Sequence, residues 1–146
     1  MPDYSALFKL MIEKHTILDA TMATYKKWVT QDPSKQFYYE ACKRMTAEAY
    51  RAGVTICTGT DDDQEGFVQN EMHLLVNEAG FSPIDALIAA TKNGAELLGI
   101  SNRLGTIESN KVADLVILDK NPLENLDNLG KVYLVIKHGG LYKKKN

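Results

Sequence analysis

Gly53-Val-Thr-Ile-Cys-Thr-Gly-Thr-Asp61 is the stretch whose reading decides the fold. Its centre, Val54 to Thr58, is five small or β-branched residues without a charge, the pattern of a strand buried on both faces, as parallel sheets require. Before it, Lys35 to Ala52 sets Phe37, Ala41, Met45, Ala49 and Tyr50 at helical intervals after an Asp32-Pro33-Ser34 turn. Gly53 suits the left-handed cap that ends such a helix.

After the strand, Glu65 to Ala79 runs on helical spacing through Val68, Met72, Leu75 and Val76 and stops at Gly80. Ser82-Pro83-Ile84-Asp85 opens another helix with a capping serine, a proline at the first helical position and an acid in the first turn. Its apolar face continues through Ala86, Leu87, Ala90, Ala95, Leu97 and Leu98 to Gly99. Upstream, Tyr4 to Lys14 is expected to be a short amphipathic helix, and His15 to Tyr25 a strand with the loop leaving it.

The last third changes character. Leu104 to Ile107 and Val112 to Leu118 read as paired short strands around Glu108-Ser-Asn-Lys111, with Asn110 able to take the positive φ of a tight turn. Val132 to Lys137 and Leu141-Tyr142 flank His138-Gly139-Gly140 as a hairpin. Alternation of helix and strand from Tyr4 to Gly99 therefore points to a parallel α/β layer, because parallel strands need helical crossovers. Two strands cannot close a barrel, which in its eight-stranded form typically takes roughly 250 residues.

At 146 residues, 45% hydrophobic and 25% charged, the composition is that of an ordinary globular domain. A net charge of -2 and a pI near 5.9 offer no broad basic surface for nucleic acid, and the run Lys143 to Lys145 reads as a solvated tail. No stretch reaches the roughly 20 apolar residues that span a bilayer. Without a signal-like start at Met1 to Leu10, a cytoplasmic location is expected, although an upstream signal would be invisible in a truncated chain. Cys42 and Cys57 form neither a disulfide framework nor a close metal pair, and both read as buried thiols.

Three stretches in order resemble the C-terminal region of the amidohydrolase superfamily, in particular its imidazolonepropionase-like and prolidase-like branch. They are Gly53 to Asp61, Glu78-Ala-Gly-Phe-Ser-Pro to Gly99, and Leu104-Gly-Thr-Ile-Glu-Ser-Asn-Lys to Asp119 with Asn121-Pro-Leu-Glu124. The resemblance implies the C-terminal portion of a (β/α)8 TIM-like barrel, about strands seven and eight with their helices, over residues 1–103. Residues 104–146 would be short strands of an accessory β-domain.

The resemblance also implies a site at the barrel mouth, with the family's aspartate just after strand eight at Asp61. There the carboxylate is both metal ligand and proton acceptor, and Zn2+ or another divalent metal activates water against a C–N bond. A carboxylate can take that proton and return it to a leaving nitrogen. Thr21, Thr24 and Tyr25, near the C-terminal end of strand seven, are candidate substrate contacts.

Departures from the family pattern carry equal weight. The family's His-x-His pair and its other metal ligands have no counterpart here, since the three histidines are His15, His73 and His138. Asn110 stands where the family pattern has glycine. The expectation is a fragment that begins after strand six, inactive by itself, from an enzyme hydrolysing amide, cyclic amide or dipeptide bonds in small molecules. The alternative is a non-catalytic half-barrel module that self-associates or completes a partner chain through its open strand edges, and a homo-oligomer is expected.

Composition alone would make Asp61 a helix cap or one of three adjacent acids in a solvated loop, but the flanking matches favour the catalytic assignment. Asp62 and Asp63 read as solvated, with at most weak binding of a hard cation such as Ca2+. His73 reads as a surface or core-edge residue, His15 as structural and His138 as exposed.

Overall fold

A computed structural model of the chain describes residues 3–61 and 66–143. Helix α1 (Ser5–Glu13) leads through a left-handed His15 into strand β1 (Leu18–Ala20). Helix α2 (Met22–Gln31), a 3-10 turn (Pro33–Lys35) and helix α3 (Gln36–Ala52) cross over to strand β2 (Ile56–Thr58). Helices α4 (Phe67–Ala79) and α5 (Pro83–Ile88) follow, and α5 runs through a π-turn (Ala89–Asn93) into α6 (Gly94–Leu97).

The two strands pair in parallel, Leu18 with Ile56, Asp19 with Cys57 and Ala20 with Thr58, as the helical crossover demands. The ladder continues past both strands, with the Leu18 N–H donating to Thr55 O at 2.9 Å and the Gly59 N–H to Ala20 O at 2.7 Å. One face carries Ala20 and Ile56 into the main core beside Met22, Ala49, Leu74, Leu75 and Phe81, while Asp19 and Cys57 share the opposite face. Burial of this helix-facing side is what holds the layer together, since each fully buried aliphatic or methionine side chain contributes about 1.5–3 kcal/mol.

Several expected boundaries hold for physical reasons visible in the backbone. Gly53 and Gly80 cap α3 and α4 with φ of 86° and 82°, a region that costs other residues a steric clash. Ser82 caps α5, its Oγ accepting the Asp85 N–H at 3.2 Å, with Pro83 at the first position.

Two expectations need correction, and a third element carries an irregularity. The extended segment from His15 to Tyr25 is a strand only over Leu18–Ala20, and Met22 opens α2. Leu104 to Ile107 forms no strand: Gly105, at φ 94°, brings the backbone against the preceding helix, where an added Cβ would lie 2.6 Å from Ala95 Cβ and 3.1 Å from Thr91 O. The helix expected from Ser82 to Gly99 runs from Pro83 to Leu97 with one π-helical turn, Ala89–Asn93, where Thr91 Oγ1 donates to Leu87 O and Asn93 Nδ2 donates to Ile56 O, both at 2.7 Å.

A separate antiparallel sheet closes the chain: β3 (Leu115–Leu118), β4 (Val132–Lys137) and β5 (Gly140–Lys143), in that order. Its hairpin turns on His138 and Gly139, both at positive φ, the conformation a two-residue turn needs to match strand twist. Asn110 takes φ 70°, as its place in the turn requires. Leu126 anchors the connection between β3 and β4 on Met72 of α4 and Ala86 of α5. The expected helix start at Glu65, the acids Asp62 and Asp63, and Lys144 and Lys145 of the basic tail lie outside the described residues.

Candidate active site at the carboxyl edge of the parallel strands

Because β1 and β2 run in the same direction, the residues leaving each strand meet at one edge of the layer. Thr21 leaves β1 there, and Gly59-Thr60-Asp61 leaves β2. This is the edge at which open and closed parallel sheets alike assemble their sites.

Asp61 is exposed and has a left-handed backbone, φ 47°. That conformation costs an ordinary L-residue roughly 1–2 kcal/mol, and aspartate accepts it more readily than most. A non-glycine residue holds such a conformation when its neighbours over-determine it. The buried Thr24 of α2 donates its hydroxyl to the carbonyl of Thr60, in the peptide group that leads into Asp61.

Helix α2 is itself fixed by a distant carboxylate. Glu71, on α4 and fully buried, accepts the N–H of Met22 at 2.9 Å through Oε1 and that of Ala23 at 2.6 Å through Oε2. Thr21 occupies the N-cap position and makes no side-chain capping bond, so Glu71 takes over that function. Burial raises the Glu71 pKa above the usual carboxylate range, and the two main-chain donors oppose that rise.

On the face opposite the helices, Cys57 Sγ donates to Asp19 Oδ1 at 3.3 Å. Burial, reinforced by the Asp19 carboxylate, pushes the Cys57 thiol up to about 12, so it is an inert thiol at neutral pH. Cys42 is likewise raised by burial, to about 11.

The other candidate residues fall as follows. Thr21 and Tyr25 are half-buried near the same edge, with the Tyr25 ring packed edge-on to Trp28 at 4.9 Å, whereas Thr24 is turned inward onto Thr60. His73 is half-buried on α4 with Nε2 3.4 Å from Asp127, and His138 is exposed in its turn. His15 lies before β1, at the end of the strand remote from Asp61. Glu71, Asp19, Gly59 and Asn93 were not singled out from the sequence. Glu71 carries a readable signal, because it falls four residues after Phe67 and four before Leu75, on the buried face of α4.

Among the described residues no three His, Cys, Asp or Glu side chains gather closely enough to hold a metal ion. Asp61 is an oxygen donor suited to a divalent metal, but these residues alone do not make a metal centre.

The Amidohydrolase family profile matches residues 48–141. The chain is 37% identical to the ochratoxinase of Aspergillus niger over 79 residues, covering 53% of this chain and 16% of that enzyme. To the imidazolonepropionase of Pyrobaculum arsenaticum it is 41% identical over 75 residues, 49% of this chain and 19% of the relative. The chain thus spans under a fifth of the length of these curated relatives.

Among solved structures, a Xaa-Pro dipeptidase with methionine bound in its active site superposes at a TM-score of 0.85 and 32% identity, over 94% of this chain and 37% of that one. The A. niger ochratoxinase superposes at 0.87 and 27% identity, over 97% and 35%. These neighbours are built on the amidohydrolase TIM barrel, and the α/β layer with its small antiparallel sheet matches a part of it. The chain belongs to the Amidohydrolase family.

Proposed function

We propose that this chain carries the last two units of an amidohydrolase barrel, β1 and β2 being its strands seven and eight, in a protein that hydrolyses C–N bonds of small molecules. Residues 1–103 would be barrel and 104–146 would add strands to an accessory β-domain. The observation that supports this best is the position of Asp61. It follows the final parallel strand at the carboxyl edge, exposed and held in left-handed backbone.

In this reading Asp61 accepts a proton from the attacking water and returns it to the departing nitrogen. It would also contribute one carboxylate to a divalent-metal centre, zinc being the expected ion, whose remaining ligands come from outside these residues. Thr21 and Tyr25, half-buried at the same edge, are the better placed substrate contacts, and Thr24 faces Thr60 instead. Ochratoxinase, imidazolonepropionase and a Xaa-Pro dipeptidase among the relatives support amide, cyclic amide or dipeptide substrates as a class. Among the described residues no helix is long and apolar enough to cross a membrane, and a cytoplasmic location belongs to the same proposal.

The chain alone is expected to be inactive. Metal-dependent amide hydrolysis by these 146 residues that disappears in Asp61→Asn would overturn that part of the reading while upholding Asp61.

A second reading, assembly, is favoured by one observation. Among the described residues, no further strand pairs with either outer edge of the β1–β2 sheet, and such edges recruit other strands. Light scattering separates the two readings: a folded monomer removes the assembly role, and a metal-free dimer supports it.

A further inference from the structure

We propose that Glu71 and Thr24 are positioning residues for Asp61, acting in series through α2. The inference rests on the reading of Asp61 as the reacting carboxylate. Helix α4 presents Glu71 to the first N–H groups of α2, and α2 presents Thr24 to Thr60, the residue before Asp61. The Glu71 carboxylate accepts from main chain and the Thr24 hydroxyl donates to it, and both residues are buried.

Glu71 does not touch reacting atoms: both its oxygens are engaged, and it is 0% exposed. A buried charge is a costly way to cap a helix when the residue at the N-cap position, Thr21, has a hydroxyl of the type that commonly caps. The arrangement makes sense if its purpose is to tie α2 to α4 and so fix the helix that carries Thr24. Thr24 then transmits that tie to the peptide group between Thr60 and Asp61, which sets the plane from which the Asp61 side chain springs. Misplacement of a catalytic group by about an ångström can cost on the order of 100-fold in rate.

The test uses the 146-residue chain, with NMR reading the Thr60 carbonyl 13C shift and the Asp61 amide 15N shift. Thr24→Val removes the donor while keeping the shape, and both signals are expected to move. Thr24→Ser, which keeps the hydroxyl, restores them. Glu71→Gln is expected to shift the Met22 and Ala23 amides together with the Thr60 carbonyl. In a protein that joins these residues to a complete barrel, Thr24→Val is expected to lower kcat by up to about 100-fold with KM little changed, and Thr24→Ser to recover most of the loss.

Unchanged Thr60 and Asp61 signals in a folded Thr24→Val protein overturn the inference and leave the role of Asp61 standing. Full activity in Asp61→Asn would remove that role, whatever the NMR coupling shows.

Discussion

Gly59, at the end of β2, lies so close beneath Asp19 of β1 that a Cβ added there would sit 2.7 Å from Asp19 Cγ. A side chain at position 59 would therefore have to displace the Asp19 carboxylate. The same Asp19 carboxylate accepts from Cys57, so moving it disturbs a second contact.

Gly59→Ala is accordingly expected to destabilise the chain by about 1–3 kcal/mol through overpacking. Asp19→Ala should relieve much of that, with a coupling between the two sites of about 0.5–3 kcal/mol in a urea-denaturation cycle. Simple additivity of the two changes would show that the close approach carries no energy.

The raised pKa of Glu71 has a defined effect on pH dependence. Burial disfavours its charged form in the folded state, so the stability it provides is fully present below the ordinary carboxylate pKa and is lost as pH rises through its raised folded value. The stability of wild type minus that of Glu71→Gln should therefore grow as pH is lowered through that window. A difference flat with pH in denaturation measurements would mean that Glu71 titrates as it does in the unfolded chain.

Ser82 supports α5 through two contacts, its Oγ accepting the Asp85 N–H and donating to the Asp85 carboxylate. That carboxylate also accepts the Tyr50 hydroxyl at 2.7 Å, tying α5 to α3, where Tyr50 stacks on Phe81 at 3.8 Å. Ser82→Ala should cost about 1 kcal/mol in thermal or denaturant unfolding. A change within a few tenths would show that Tyr50 and Pro83 hold the start of α5 without it.

What was legible in the sequence was local. Gly53, Gly80, Ser82-Pro83 and the uncharged strand before Thr58 each fix their own backbone through conformation or capping, and the structure follows them. Where a contact across the chain decides the backbone, the sequence was silent. Helix α2 begins at Met22 because Glu71, 49 residues away, accepts its N–H, so the β-branched composition of His15 to Tyr25 misled. Leu104 to Ile107 has strand-like residues, yet Gly105 lets it lie on Ala95 and Thr91.

The edge where Asp61 sits was expected from the family resemblance, which implies an aspartate just after the final barrel strand. The left-handed backbone of Asp61 and the Thr24 bond behind it were not, because neither leaves a local pattern.

The central claim is that Asp61 is the proton-transferring carboxylate of a C–N hydrolase. It is tested most directly by the rate of metal-dependent amide or dipeptide hydrolysis in a protein that joins these residues to a complete barrel, wild type against Asp61→Asn. The account predicts a fall of roughly 100- to 10,000-fold in kcat with the fold intact. An Asp61→Asn protein that retains wild-type kcat would contradict it.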